Sequence, residues 1–234
     1  MTHTRILTLT FLTAALVLLL LLGGAPIVQA APASAHAPVL STLQTGDLNE
    51  EEVEHLLWMR EEEKVARDAY LALADKWGLQ IFTNISKSEQ QHMDTMLDLI
   101  VSYGLEDPVG DNPRGVFTNP DLQALYDALL AQGEQSLAEA LKVGATIEEV
   151  DIIDLQKAIA ITTHDDVTQA YEMLQCGSGN HLRAFVRNYE STTGETYTPQ
   201  YLDQATYDSI MAGSQGGCGL MLNYRIYQPI FFSF

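Results

Sequence analysis

Cysteine is scarce in this sequence: Cys176 and Cys218 are its two, and neither has a second cysteine at CxxC spacing. A zinc knuckle or a thioredoxin-like redox pair needs such spacing, so both are excluded. In an exported chain an even count permits one disulfide, here tying the last long helix to the C-terminal tail. Basic residues are also few, 12 Lys and Arg against 31 Asp and Glu, for a formal net charge of -19. A surface of that sign repels nucleic acid and anionic lipid and attracts cations. Acidity also serves solubility outside the cytoplasm, so only acids placed on buried faces argue for a metal. Sustained two-residue alternation is missing too, which removes the signal for β-strands and leaves helix signals dominant.

The 234 residues suffice for one good-sized domain with appendages. Residues 1–30 carry Arg5, an almost unbroken apolar run from Ile6 to Leu22, and then GGAPIVQA. Val28 and Ala30 fit the small-residue rule for cleavage before Ala31, so the segment reads as a secretory signal peptide. The length of the run keeps an uncleaved membrane anchor as the alternative. With Arg5 gone, 11 basic residues would face 31 acids, a charge of -20. Residues 31–46, APASAHAPVLSTLQTG, read as a flexible spacer. Residues 214–234 form an apolar and aromatic tail without a clear period.

Between spacer and tail, residues 47–213 carry the helices. The first runs from about Leu48 to Trp77, with Asp47 or Asn49 as N-cap, acids in its first turns and Gly78 as its stop. The second is expected from Asn84 or Ser86 to Gly104, followed by a loop rich in Pro, Gly, Asp and Asn. Asn119 and Pro120 open a third segment that Gly133 bends or breaks before a longer stretch from Glu134 to Thr162. Asp165 or Asp166 starts a helix to about Thr193, passing through the GSG at 177–179, and Thr198 with Pro199 would cap a short last helix ending at Gly213. Glycine is costly inside a helix, so the GSG implies a bend or an unusually close approach. Four long helices most simply form an antiparallel bundle in which each contributes one apolar seam.

Those seams carry intruders. Met59, Glu63, Ala66, Tyr70, Leu73 and Trp77 share one face of the first helix. On the second, in SKSEQQHMDTMLDLI and its flanks, Ile85, Glu89, His92, Met96, Leu99 and Tyr103 align. The third long helix aligns Leu137, Leu141, Gly144, Glu148, Asp151, Leu155 and Ala158; the fourth aligns Val167, Tyr171, Leu174, Ser178, His181 and Phe185. Polar groups thus occupy the middle of every seam. Four carboxylates meeting in a core without a cation would mostly have to protonate, so a metal centre resolves the pattern. Glu63, Glu89, Glu148, Asp151, His92 and His181 can hold two ions of the iron or manganese type, with carboxylates bridging. Zinc suits the set less well because the seams hold no thiolate, and copper or a single iron remains open.

The EEEKVARDAY, SEQQHM, LKVGATIEEVDIIDL and GSGNHLRAF segments together resemble the ferritin-like superfamily, and within it the domain-of-unknown-function family 2202 (DUF2202). Glu63, Arg67 and Tyr70 resemble the E-x3-R-x2-Y of rubrerythrin-like first helices, and Glu89 with His92 the ExxH of their second. The resemblance covers about Leu48 to Gly213. It implies a ferritin-like antiparallel four-helix bundle with a short C-terminal helix, and places Glu63, Glu89, His92, Glu148 and His181 on metal-ligand positions. The second ExxH would put glutamate at 178, where this chain has Ser178. Either Asp151, one turn after Glu148, restores the carboxylate from the facing helix, or the site holds one ion. Glu149 is the alternative to Glu148 if the register slips.

Taken singly, the intruders have plain explanations. Glu89 with His92 makes an adequate buried hydrogen bond, an Arg67 to Glu63 contact accounts for that pair, and surface placement accounts for Glu149. His55 and His164 suit solvent or capping roles near helix ends. Tyr70, Tyr103 and Tyr171 read first as core aromatics with a bonded hydroxyl. The resulting expectation is an exported chain, periplasmic, cell-surface or extracellular, with a di-iron site of the ferroxidase or peroxidase type. Arg67 would orient a ligand carboxylate in that reading, with Tyr70 and Ser178 beside the ligands. The alternative is a bundle that sequesters metal or meets an envelope partner without turnover. Expected partners are metal ions, a membrane or envelope met through the N-terminal segment or the tail, and a second copy in a homodimer, but no nucleic acid.

Overall fold

Capping chemistry decides where most of the helices begin. The computed structural model describes residues 48–213 and Cys218. The signal or anchor, the spacer and the tail apart from Cys218 lie outside the described residues. Regular structure among the described residues is all helical: α1 Glu50–Trp77, α2 Gln80–Ser102, α3 Pro120–Gly133, α4 Leu137–Ile161, α5 Asp165–Thr193 and α6 Gln204–Ala212. Asn49 caps α1 in a full capping box with Glu52, and Gly78 ends it with φ 67°, a left-handed conformation that suits glycine. Asn119 accepts from the amides of Asp121 and Leu122 ahead of Pro120, and Ser136 caps α4. Gly133 is the last residue of α3.

Three starts differ from expectation: α4 begins at Leu137 rather than Glu134, because Ser136 supplies its cap. α2 begins at Gln80 after Leu79, whose side chain makes no capping bond, rather than at Asn84 or Ser86. Packing sets this start: Phe82 and Ile85 are buried, and Ser86 Oγ donates back to the Thr83 carbonyl inside the helix. α6 is capped by Asp203, not by Thr198 and Pro199. Glu149 accounts for the delay, because its carboxylate accepts the amides of Gln200, Tyr201 and Leu202 and the Tyr197 hydroxyl. A segment whose amides point at one carboxylate cannot also form a helix there.

Contacts between helix ends give the topology. Glu52, at the start of α1, accepts from Thr162 and Thr163 just past α4, and Tyr103, just past α2, donates to Asp166 at the start of α5. α1 therefore runs antiparallel to α4, and α2 to α5, while short turns make α1–α2 and α4–α5 antiparallel hairpins. α2 and α4 then point the same way. The chain must travel the bundle's length between them, and the loop after α2 together with α3 makes that passage.

Apolar side chains fill the bundle as two clusters. One contains Tyr70, Leu73, Phe82, Ile85, Leu141 and Phe185; the other contains Leu56, Met59, Met96, Ile100, Leu155, Tyr171 and Leu174. Each fully buried Leu, Ile, Met or Phe contributes about 1.5–3 kcal/mol on transfer from water. Along every long helix the residues between the two clusters are the polar intruders, so the fold carries a polar layer across its middle.

Candidate metal centre

Four helices deliver side chains to that layer: Glu63 from α1, Glu89 and His92 from α2, Glu148 and Asp151 from α4, and Ser178 and His181 from α5. All are buried. The three-residue spacings of 89 with 92 and 178 with 181 put each pair on one helix face. Gly177 is what lets α5 come close. A Cβ there would lie 2.6 Å from His92 Nε2, so the imidazole occupies space only glycine leaves open. α5 stays a continuous helix through the GSG, and close approach explains Gly177, whereas a Cβ at Gly179 would make ordinary contacts 3.7 Å or more away.

Two groups of ligand atoms converge. Glu63, Glu89 and His92 form one, Glu89, Glu148 and His181 the other, with the chosen atoms of each within 4.8 Å of one another. An ion about 2.0–2.2 Å from its ligands fits donors spaced in this way. His92 Nδ1 lies 2.9 Å from Glu89 Oε2 and 3.2 Å from Glu63 Oε2. His181 Nδ1 lies 2.8 Å from Glu89 Oε1 and 3.4 Å from Glu148 Oε2. Glu89 thus gives one oxygen to each group. The close His181 contact lacks hydrogen-bond alignment, and His181 Nδ1, Glu89 Oε1, Glu63 Oε1 and Asp151 Oδ1 are all buried without a hydrogen-bond partner. Orphaned buried polar atoms are rare in a stable core. Their convergence in one layer fits a cation.

Electrostatics show what the layer does without one. Burial pushes Glu63 and Glu148 up to about 7, against the partial relief that His92 gives Glu63 and His181 gives Glu148. Burial also raises Asp151 well above the usual carboxylate range, reinforced by Glu63, Glu62 and Glu148. Burial acts to raise Glu89 as well, but the two imidazoles beside it hold it far below. His181 is pushed up to about 10 because Glu89 and Glu148 outweigh its burial, and His92 rises for the same reason beside Glu63 and Glu89. Protons supply the positive charge a cation would bring.

The surrounding bonds fix orientation. Tyr70 donates to Glu148 Oε1 at 2.5 Å, with the Gly144 carbonyl 3.3 Å from the same hydroxyl. Ser178 Oγ lies 2.5 Å from Asp151 Oδ2 and 2.9 Å from the Leu174 carbonyl, the two partners of its single hydroxyl. Asp151 therefore reaches from the facing helix to the place where α5 has serine, yet it stands outside both three-residue groups. Ser88 Oγ lies 2.9 Å from His181 Nε2, which leaves Nδ1 toward the carboxylates. Sequence reasoning missed Ser88. It sits one residue off the seam, and its adjacency to Glu89 was the available signal. Also missed was Glu62, buried beside the layer, accepting from Trp58 Nε1 at 3.0 Å and raised by burial, Asp154 and Glu63.

Several expected roles are corrected. Arg67 does not touch Glu63: its Nε and Nη2 donate to Asp68 Oδ1, and its Nη1 donates to Gln90 Oε1. The adjacent Asp68 and the facing helix offer better-placed acceptors than a ligand one turn back. Glu149 is fully buried rather than on the surface, and it anchors residues 197–202 instead of joining the layer, so the register is that of Glu148. His164 takes the N-cap position of α5 with Nδ1 2.9 Å from Glu52 Oε1. The Tyr171 hydroxyl is buried without a hydrogen-bond partner. Cys176 and Cys218 form the disulfide that the even count permitted.

Relatives carry the same fold. A curated protein of Methanocaldococcus jannaschii, "Uncharacterized protein MJ0754", is 49% identical over 175 residues, covering 75% of this chain and 94% of its own length. A solved structure titled "Crystal structure of hypothetical protein MJ0754 from Methanococcus jannaschii DSM 2661" superposes with a TM-score of 0.71 at 49% identity, over 75% of this chain and all of that one. Residues 52–214 match the family described as "Uncharacterized protein domain (DUF2202)". That span holds the four long helices, apart from the first two residues of α1, and every residue of the polar layer, and the chain belongs to the DUF2202 family.

Proposed function

We propose that this chain is an exported ferritin-like metal protein whose polar layer holds two ions of the iron or manganese type. Glu63, Glu89 and His92 would hold one ion; Glu89, Glu148 and His181 would hold the other. The shared carboxylate of Glu89, set between two imidazoles that both present Nδ1, carries this reading. Four buried polar atoms without partners support it, since a cation satisfies them together. Carboxylate and imidazole donors without thiolate favour iron or manganese over softer ions. The disulfide between Cys176 and Cys218 supports export, because such bonds persist in oxidising compartments.

An iron pair, when bound, supplies redox chemistry toward oxygen or peroxide, with iron(II) as a further substrate in the ferroxidase form. The protein's part is orientation and charge. Tyr70 holds one oxygen of Glu148, leaving the other toward His181. Ser88 fixes the His181 ring, and the absent side chain at Gly177 admits His92. Ser178 holds Asp151 beside the layer as an acceptor for a proton.

Metal analysis of the mature protein, purified after iron supplementation, tests the reading. Wild type should carry two ions per chain, His181→Ala no more than one, and Glu89→Ala none. Equal, negligible metal in all three while they remain folded would refute it. If iron is bound, acceleration of iron(II) oxidation over buffer would mark an enzyme, and its absence would leave sequestration.

A further inference from the structure

A cavity lies on another face of α5, independent of the metal reading. It occupies about 450 Å³ between α4, α5 and α6, with Ile152 and Gly179 at its floor and Ile210, Cys176 and Glu172 around it. Close-packed domains leave few voids, and spaces of this size are where proteins seat other groups. Gly179 is a second sign of an occupant. Glycine inside a helix costs about 1 kcal/mol relative to alanine, and His92 accounts for that cost at Gly177. Gly179 has no such reason among the described residues: a Cβ there would meet Ile210 Cγ2 at 3.7 Å and Arg183 Nη1 at 3.9 Å, both ordinary contacts. Bare backbone at the floor keeps room for something else.

The chain brings its own candidate to the edge of this space. Cys218 is bonded to Cys176, which lines the cavity, and Asn180 Nδ2 donates to Cys218 Sγ at 3.3 Å. Residue 219 follows one Cα step of about 3.8 Å later, so the segment 219–234 starts at the cavity edge. Ten of its sixteen residues are Leu, Met, Ile, Tyr or Phe, and leaving them in water is unfavourable. Arg225 is its single charge, opposite in sign to the exposed Glu172 at the cavity. A segment tethered this closely has an effective concentration on the order of millimolar, above that of a second copy in dilute solution.

We propose that the chain's own residues 219–234 dock in this cavity, with Leu220, Met221 or Leu222 against Ile210 and Arg225 toward Glu172. The disulfide is the clamp that sets where the segment enters. Docked there, it closes the bundle behind Asp151 and Ser178, which precede Ile152 and Gly179 in the chain.

Methyl NMR of the disulfide-bonded protein tests this. Nuclear Overhauser contacts are expected from the Ile210 methyls to the methyls of Leu220, Met221 or Leu222. A sample that mixes chains labelled at isoleucine with chains labelled at leucine and methionine should show none, which separates the chain's own tail from that of a second copy. The full chain carrying Leu220→Asn, Met221→Asn and Leu222→Asn together should show shifted Ile210 methyl resonances. Gly179→Leu fills the floor and should abolish the contacts in a protein that still melts cooperatively; the wild-type contacts decide the matter whether or not this variant folds. These readouts need no metal, so their failure is separable from that of the metal reading. Absence of the contacts in wild type, contacts only in the mixed sample, unmoved Ile210 methyls in the triple variant, or contacts unchanged in folded Gly179→Leu would overturn the proposal.

Discussion

Glu149 and Glu89 are both fully buried acids on long helices of one bundle, and they are opposite in kind. Glu149 accepts three backbone amides and a tyrosine hydroxyl, so its charge is satisfied by the chain itself. Glu61 takes the amides of Thr118 and Asn119, and Glu52 those of Asn49 and Thr163, in the same manner. Glu89 faces imidazoles and other acids, and one of its oxygens has no hydrogen-bond partner. Burial alone therefore does not mark a site. The chemical type of the partner does: amides complete a fold, whereas acids and imidazoles turned toward each other leave charge for something else to neutralise.

Exchanging one acid of each kind should break the comparison most visibly. Glu89→Ala should lose both ions while the bundle stays folded, because a ligand shared by two groups leaves each incomplete. Glu149→Ala should leave three amides buried without an acceptor and lower stability by about 3 kcal/mol or more, with the metal content of the folded fraction unchanged. Denaturant unfolding beside metal analysis checks both. Metal loss in Glu149→Ala, or retention in Glu89→Ala, would erase the distinction.

Proton linkage sharpens it next. Without metal, Glu63 and Glu148 are raised to about 7 and His181 to about 10, so the folded chain holds protons that the unfolded chain releases nearer the ordinary values. Groups raised in this way contribute stability below their unfolded values and lose it as pH rises through the folded ones. The metal-free protein should therefore lose stability from about pH 4.5 upward, with metal raising the melting temperature more near pH 8 than near pH 5. Thermal melts with and without iron or manganese test this, and an equal metal effect at both pH values would contradict it.

Glu52 gives the smaller, opposite effect. Burial acts to raise it, but the Thr163 and Asn49 amides, His164 and Thr162 bring it down to about 2. A depressed acid contributes stability above its unfolded value, lost as pH falls through the folded one. Glu52→Gln should cost about 2 kcal/mol near pH 6 and progressively less as pH falls toward 2, irrespective of metal.

Much of this was legible in the sequence. Helix periodicity and the Asn49, Gly78, Asn119 and Pro120 signals located α1 and α3, because they act through neighbours in the chain. Seam spacing brought Glu63, Glu89, His92, Glu148 and His181 to one level for the same local reason. What stayed hidden depends on distant partners. The start of α6 and the burial of Glu149 are one fact, set by acceptor and amides about fifty residues apart. Arg67 was misassigned because helical spacing shows which residue is one turn away, not that Gln90 on α2 offers another acceptor. Ser88 lay off the seam, and its use appears only when His181 arrives from α5.

Anomalous diffraction at the iron edge, on crystals grown from iron-loaded protein, tests the central claim most directly. Two peaks are predicted, one contacted by Glu63, Glu89 and His92, the other by Glu89, Glu148 and His181. Iron-loaded crystals with no peak in the layer, and the same carboxylate and imidazole contacts retained, would contradict it.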